Sequence, residues 1–194
     1  MHFYVIHESA SLLAAVWYNA DMEITLEELL NARDDRAAYE KQLLKRYRGA
    51  CLVVFTVNVP GADKTTPEAA RLFTAGIRAL GGFLQRYELV PLFYEAREPV
   101  TGYEAYLALK TDASFLKLEL IKLESSAPYG RLWDMDVISA KGVHLSREDV
   151  GFPERSCIVC GKRGRACASR RLHPMEEVQK AFIKLVSTLP PEQV

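Results

Sequence analysis

The sequence has no excess of charge of either sign, because its 25 lysine and arginine residues are matched by 25 aspartate and glutamate residues. A net charge of zero excludes a bulk electrostatic attraction to nucleic acid or to a membrane surface. We therefore expect no nucleic-acid partner and no membrane partner. Any charge that matters for function must be clustered locally.

The chain also lacks an apolar run long enough to span a membrane. Its N-terminal run from Leu12 to Tyr18 is far shorter than the roughly 20 residues that a span requires. No lysine or arginine precedes this run, so it lacks the charged start of a signal peptide. We interpret residues 1–21 as an extension, with Met22 as a candidate start, before a single domain over residues 22–194.

Cysteines are few and unevenly placed. Three of the four, Cys157, Cys160 and Cys167, fall within eleven residues, and the fourth is Cys51. A secreted disulfide framework would spread an even set over a shorter chain. The distribution favours a reducing compartment, so we expect a cytoplasmic protein.

The apolar periodicity predicts an α+β fold. Helical spacing predicts a first helix over residues 26–48, begun by a capping box of Thr25 and Glu28. Residues 51–138 then follow the order β-α-β-β-α-β, which is that of the ferredoxin-like core with two helices on one face of an antiparallel sheet. A cysteine-rich segment and a last helix over residues 175–186 complete the chain.

The predicted strands of this core are residues 51–57, 89–94, 103–109 and 132–138, and Gly142 allows a hairpin back through residues 143–145. Its first helix begins at Thr66 and Pro67. The segment after Asp112 fits a helix to about Ser125. Its leucines at every second position also suit a strand, so the sequence leaves both alternatives open.

Two carboxylates lie close together on one predicted strand. Asp134 and Asp136 are two residues apart, so they point to the same face. Leu132 would share that face, and Trp133, Met135 and Val137 would point the other way, into a core. Like charges this close repel unless a cation lies between them, and Mg²⁺ prefers carboxylates together with phosphate oxygens. The pair indicates either a magnesium site for phosphoryl or nucleotidyl transfer, or an ordinary surface pair on an edge strand.

The cysteine-rich segment has the spacing of metal ligands. Cys157, Cys160, Cys167 and His173 form the pattern C-x2-C-x6-C-x5-H. Three thiolates and one imidazole can make a closed tetrahedral zinc site, whose role would be structural. The alternative is three reduced cysteines packed as small hydrophobic residues, with His173 at the start of the last helix.

Basic residues cluster in the same part of the chain. Between Arg147 and Arg171 there are seven basic and three acidic side chains, a local charge of +4 (7 − 3). Arginine suits bidentate contacts with phosphate, although such a patch can also attract an acidic protein or simply be solvated. The loop from Asn58 to Lys64 follows the first predicted strand. Either Lys64 reaches a triphosphate from this loop, or the loop only connects the strand to the next helix.

Taken together, these segments resemble one known family. Residues 130–137, GRLWDMDV, are similar to the G-R-L-x-D-x-D-V motif of the citrate lyase holo-acyl-carrier-protein synthases, also called apo-citrate lyase phosphoribosyl-dephospho-CoA transferases. Residues 55–61, FTVNVPG, resemble its F-T-x-N-x-P-G stretch, and residues 24–30 its first helix start. The Ser146–Arg147 pair and the cysteine and histidine segment resemble its C-terminal part. The resemblance covers about residues 23–180.

The resemblance implies a nucleotidyltransferase that moves a prosthetic group from triphosphoribosyl-dephospho-CoA to a serine of the citrate lyase acyl carrier protein subunit, with release of pyrophosphate. Asp134 and Asp136 would hold Mg²⁺, and Arg131 would be catalytic. Donor-binding residues would be Asn58, Lys64, Arg147, Arg170 and Arg171. The family commonly has an arginine where this chain has Ser169, so which of the two following arginines replaces it stays open.

Two other functions remain compatible with the sequence. One is a related carrier-protein maturase with another acceptor, of the malonate decarboxylase type. The other is a non-enzymatic, zinc-stabilised binding module, which would have no use for two carboxylates inside a strand.

The sequence predicts that residues 1–21 are dispensable, because the family motifs start at Ile24. A protein that begins at Met22 should keep its melting temperature and its transfer activity. A large loss of stability in thermal denaturation would instead indicate that the run from Leu12 to Tyr18 packs into the core.

Overall fold

The computed structural model describes residues 26–191, so the predicted extension and the capping residue Thr25 lie outside the described residues. Within that range the chain forms these helices and strands: α1 Leu26–Arg46, β1 Cys51–Val57, α2 Pro67–Arg86, β2 Phe93–Arg97, β3 Glu104–Leu109, α3 Ala113–Glu124, β4 Trp133–Ile138, β5 His144–Leu145, α4 Gly164–Ser169 and α5 Met175–Val186. Short 3-10 turns lie at Pro128–Leu132 and Glu148–Val150. No helix in this range is long and apolar enough to span a bilayer.

The strands form one antiparallel sheet in the order β2-β3-β1-β4-β5. The predicted α+β class is confirmed. The fifth strand is short and pairs with β4 only at Val137 and Ile138. The first half of β4 therefore has no strand neighbour on its outer side.

One face of the sheet carries the main core. Side chains of β1, β3 and β4, among them Phe55, Leu107 and Met135, pack with residues of α2, α3 and α5. The threonine hydroxyl of Thr66 caps α2 by accepting the N–H of Ala69. These helices pack here because each presents one apolar side to the sheet.

The segment after Asp112 is a helix rather than a strand. The Asp112 carboxylate accepts the N–H of Phe115, which satisfies a donor that the first turn leaves unpaired. Leu116 and Leu120 are four residues apart and fully buried, as helical spacing requires. Their alternation with polar residues was thus compatible with a strand but not evidence for one.

The opposite face of the sheet is covered by α1. This face is apolar at one end and polar at the other. Near the C-terminal half of α1, Leu43 packs with a small apolar cluster that includes Leu52 and Ile138. At the other end, the strand register places Arg97, Glu104, Thr56 and Asp134 in one row across four strands. Facing residues in paired strands share a face, so this row forms a polar floor.

Two of the sequence predictions need correction. The second strand begins at Phe93 rather than at residue 89, because α2 ends at Arg86 and the chain turns through Glu88, whose φ is 51°. Leu132 does not share the aspartate face. It belongs to the 3-10 turn before β4 and is buried in the main core, so strand alternation does not apply to it.

Gly76 is required by the close approach of α2 to the sheet. A Cβ atom at this position would lie 2.1 Å from Cζ of Phe55, whose ring is fully buried and stacked on Phe73. We expect Gly76→Ala to lower the free energy of unfolding by about 1–3 kcal/mol through overpacking. Urea denaturation measures this change.

Gly81 of the same helix is the matched control, because a Cβ there meets no heavy atom within 4 Å. Gly81→Ala should be neutral or stabilise by about 0.5–1 kcal/mol, since alanine is the better helix former. Equal stabilities of the two variants would contradict the packing described here.

Candidate active site

A cavity of about 1360 Å³ lies between the N-terminal half of β4, the loop after β1, the cysteine-rich segment and α5. It collects most of the site residues predicted from the sequence: Asn58, Lys64, Arg131, Asp134, Asp136, Arg147, Arg171, Cys157, Cys167 and His173. Arg170 and Cys160 do not line it, and both are exposed. The fold thus brings residues from distant parts of the chain to one place.

The two aspartates project from β4 as expected, while Trp133, Met135 and Val137 point into the main core. Asp134 is one-third exposed, and its Oδ1 accepts from Nη1 of Arg155 at 2.7 Å. Asp136 is 55% exposed, and its Oδ1 lies 3.4 Å from Nζ of Lys117. Protein cations therefore already offset part of the repulsion between the two carboxylates.

The open edge of β4 is completed by two side chains of α3 that sequence reasoning missed. Oε1 of Glu124 accepts the N–H of Met135 at 2.9 Å, and Nζ of Lys117 donates to the Met135 carbonyl at 3.0 Å. Both side chains are almost fully buried. Their spacing of seven residues, beside the buried leucines of the same helix, was the available sequence signal.

Glu124 also holds two arginines of the cavity. Its Oε2 accepts from Nη1 of Arg147 at 2.9 Å, and its Oε1 accepts from Nη2 of Arg155 at 2.5 Å. Burial raises the pKa of the Glu124 carboxyl, and Arg155 counteracts this only in part. Arg155 thereby links Glu124 to Asp134, a bridge that the sequence did not predict.

Arg131 lacks the carboxylate ion-pair partner that Arg147 and Arg155 each have in the described part of the chain. Its Nη2 donates to the Ser156 carbonyl, but its buried Nε has no hydrogen-bond partner within residues 26–191. Burial, together with the charges of Arg155 and Arg147, lowers the pKa of its guanidinium. An anion in the cavity would relieve this repulsion.

The predicted convergence of the cysteines and the histidine is confirmed. Ligand atoms of Cys157, Cys160, Cys167 and His173 all lie within 4.8 Å of one another, so the cluster can bind a metal ion. Gly161, with a φ of 73°, turns the backbone directly after Cys160. Sγ of Cys160 lies 3.6 Å from Sγ of Cys167.

The electrostatics of the cluster differ from one thiol to the next. Burial would raise the pKa of Cys157, but backbone N–H groups of Cys160 and Val159 lower it to about 7. Burial and the neighbouring thiols raise the pKa of Cys167 to about 11. Nε2 of His173 is buried without a hydrogen-bond partner in the described part of the chain, and its Nδ1 lies 3.6 Å from a Glu177 oxygen.

Paired carboxylates beside clustered arginines have the chemistry of enzymes that act on phosphorylated substrates. Over residues 24–189 the chain matches the family described as apo-citrate lyase phosphoribosyl-dephospho-CoA transferase, and it belongs to that family. The family resemblance found in the sequence is thereby confirmed.

Individual relatives agree with this assignment. The chain is 36% identical over 173 residues to the probable apo-citrate lyase phosphoribosyl-dephospho-CoA transferase of Streptococcus pyogenes serotype M18, covering 87% of this chain and 88% of that protein. It is 36% identical over 155 residues to the enzyme of the same name from Escherichia coli O139:H28, covering 80% and 84%. It is 38% identical over 156 residues to Protein CitXG of Haemophilus influenzae, covering 80% of this chain but only 33% of that longer protein.

Glu124 should be essential for stability. In Glu124→Gln, the two arginines and the Met135 N–H would face a neutral amide, so we expect a loss of about 3–5 kcal/mol in the free energy of unfolding. Urea denaturation at neutral pH measures it.

The matched control is Glu176→Gln on α5, where the ion pair with Lys180 is exposed on both sides. An exposed pair of this kind contributes about 0–1 kcal/mol, so this variant should unfold like the parent. A Glu124→Gln protein as stable as the Glu176→Gln protein would show that the buried carboxylate does not hold the site together.

Proposed function

We propose that this protein transfers the phosphoribosyl-dephospho-CoA group from triphosphoribosyl-dephospho-CoA to a serine of the acyl carrier protein subunit of citrate lyase. Membership of the transferase family supports this substrate pair. The observation that carries the proposal is that Asp134 and Asp136 face the same cavity as Arg131 and Arg147. The reaction needs both a negative pair for a cation and a positive surface for phosphates.

In the transfer step, the serine oxygen forms a bond to the phosphorus atom next to the ribose. The bond from that phosphorus to the terminal diphosphate breaks, and pyrophosphate leaves. The serine proton is released to solvent. The products are pyrophosphate and a carrier that holds the group through a phosphodiester, so charges and atoms balance.

The cavity's cations would bind the triphosphate. Arg131 is the main candidate, because its Nε lacks a hydrogen-bond partner among residues 26–191 and its neighbours Arg147 and Arg155 already repel it. Arg171 and Asn58 line the same cavity and would contact other oxygens of the donor. Arg170 is exposed and outside the lining, so it would reach the donor only from the cavity mouth.

Asp134 and Asp136 suit Mg²⁺. Each carboxylate uses one oxygen for a protein cation and keeps the other free of hydrogen bonds within residues 26–191. Magnesium binds through one or two carboxylates together with substrate phosphates, which is what this cavity offers. When bound, it would neutralise charge on the departing pyrophosphate.

The cluster of three cysteines and His173 suits a structural zinc ion. All four positions of a tetrahedral site would be filled by protein, so no position would remain for catalysis. The buried Nε2 of His173 has no other partner described, and Glu177 near Nδ1 would orient the ring, as carboxylates often do for zinc-bound histidine.

The proposal includes a ferredoxin-like core within the α+β fold. The order β2-β3-β1-β4 supports a ferredoxin-like core, to which β5 and the cysteine-rich segment are added. We assign residues 22–194 to one transferase domain that acts in the cytoplasm on a carrier protein, without a nucleic-acid or membrane partner.

The aspartates are testable one at a time. We expect Asp134→Asn and Asp136→Asn each to lower the rate of transfer roughly a thousandfold or more, with the fold intact. The reason is that loss of a metal ligand removes several kcal/mol of transition-state stabilisation. Intact mass of the carrier subunit after incubation with donor and Mg²⁺ measures transfer, and circular dichroism checks the fold. Asp35→Asn, on the exposed side of α1, should transfer normally. Near-normal turnover of either well-folded active-site variant would rule out the metal role.

Zinc is testable by elemental analysis. Protein purified without chelator should contain about one zinc ion per chain, and Cys160→Ser should lose it and melt at a lower temperature, because structural zinc contributes folding energy directly. Cys51→Ser removes a cysteine whose thiol donates to the Thr111 carbonyl instead, so its zinc content should not change. Zinc-free parent protein would contradict the assignment.

A further inference from the structure

A second, smaller cavity of about 240 Å³ lies beside the candidate active site, under the N-terminal half of α1. Its lining includes three cationic residues, Arg33, Arg36 and Lys64, together with Thr56 and Asn58. No aspartate or glutamate among residues 26–191 lines it. A concave surface with three cations and no acid favours an anionic ligand.

Two of these cations have no counter-charge in the described part of the chain. Arg36 is neutralised by the buried carboxylate of Glu104, at 2.9 Å from its Nε. Arg33 is exposed and forms no ion pair there. Lys64 is half-buried, and its Nζ donates only to the Val59 carbonyl, at 2.6 Å. Burial without a carboxylate partner lowers the pKa of its ammonium group.

The two cavities adjoin each other at the end of β1. Asn58, Val59 and Lys64 line both of them. Thr56 of the second cavity pairs across the strands with Asp134 of the first, so their side chains lie next to each other on one face. A ligand with its reacting end at the aspartates can therefore extend over Thr56 towards Lys64 and Arg33.

We propose that the second cavity is a diphosphate subsite, which holds the diphosphate of the dephospho-CoA part of the donor while the triphosphate lies in the main cavity. This inference rests on the proposed function, because that donor carries both a diphosphate and a triphosphate. The two groups are separate and are joined through its sugars. Lys64 is then assigned to the diphosphate rather than to the triphosphate. The division explains why cations occur on both sides of the loop from Asn58 to Lys64.

The test is the equilibrium binding of two partial ligands. Each affinity is measured by titration calorimetry at one fixed concentration of magnesium and salt. Dephospho-CoA carries the diphosphate alone, and inorganic tripolyphosphate stands for the triphosphate alone. Lys64→Met and Arg33→Met should each weaken dephospho-CoA by about tenfold, because a charge-assisted contact is lost. Neither should change the affinity for tripolyphosphate, whereas Arg131→Met should weaken tripolyphosphate and spare dephospho-CoA.

Lys45→Met is the matched control, since Lys45 is exposed at the far end of α1 and lines neither cavity. Melting temperatures verify that each variant is folded. Unchanged dephospho-CoA affinity in both Lys64→Met and Arg33→Met would overturn the subsite. Equal weakening of both ligands by Lys64→Met would overturn it too, by placing Lys64 in the triphosphate site.

Carrier modification, measured separately on the parent protein, keeps the two proposals apart. If the parent modifies the carrier and dephospho-CoA binding does not depend on Lys64, only the subsite fails. If the parent binds dephospho-CoA in a Lys64-dependent manner but leaves the carrier unmodified, the subsite is supported and the proposed function fails.

Discussion

The buried carboxylate of Glu124 is the interaction on which the rest of the site depends. It accepts the N–H of Met135, and it binds Arg147 and Arg155, which come from the chain after the sheet. Through these hydrogen bonds and ion pairs, one side chain of α3 connects that helix to β4 and to the start of the cysteine-rich segment. Breaking a buried ionic contact of this kind leaves the remaining charges without compensation, so the arrangement tolerates little change.

The alternation of side chains along β4 lets one strand serve the core and the cavity at once. Trp133, Met135 and Val137 are fully or almost fully buried in the main core, which fixes the strand's register against β1. A shift of one residue would bury both aspartates and expose the core side chains. The packing of their neighbours therefore sets the face of the strand on which Asp134 and Asp136 lie.

Local signals in the sequence were sufficient for much of this architecture. The first strand and the last helix have the predicted bounds, because a buried β-branched run and a strongly amphipathic segment each specify one structure. Spacing alone predicted that Asp134 and Asp136 share one face of the strand and that the three cysteines and His173 converge. Lys117, Glu124 and Arg155 were missed, because their partners are distant in sequence and only the tertiary fold brings them together.

The open half of β4 also bears on the solubility of the protein. An unpaired strand edge is a template on which a second chain can add by backbone hydrogen bonding, which leads to aggregation. Here Lys117 and Glu124 occupy the backbone groups of Met135 that such a chain would need. The same two charges that shape the cavity therefore act as a gatekeeper, blocking intermolecular strand addition at a site that must stay open to a substrate.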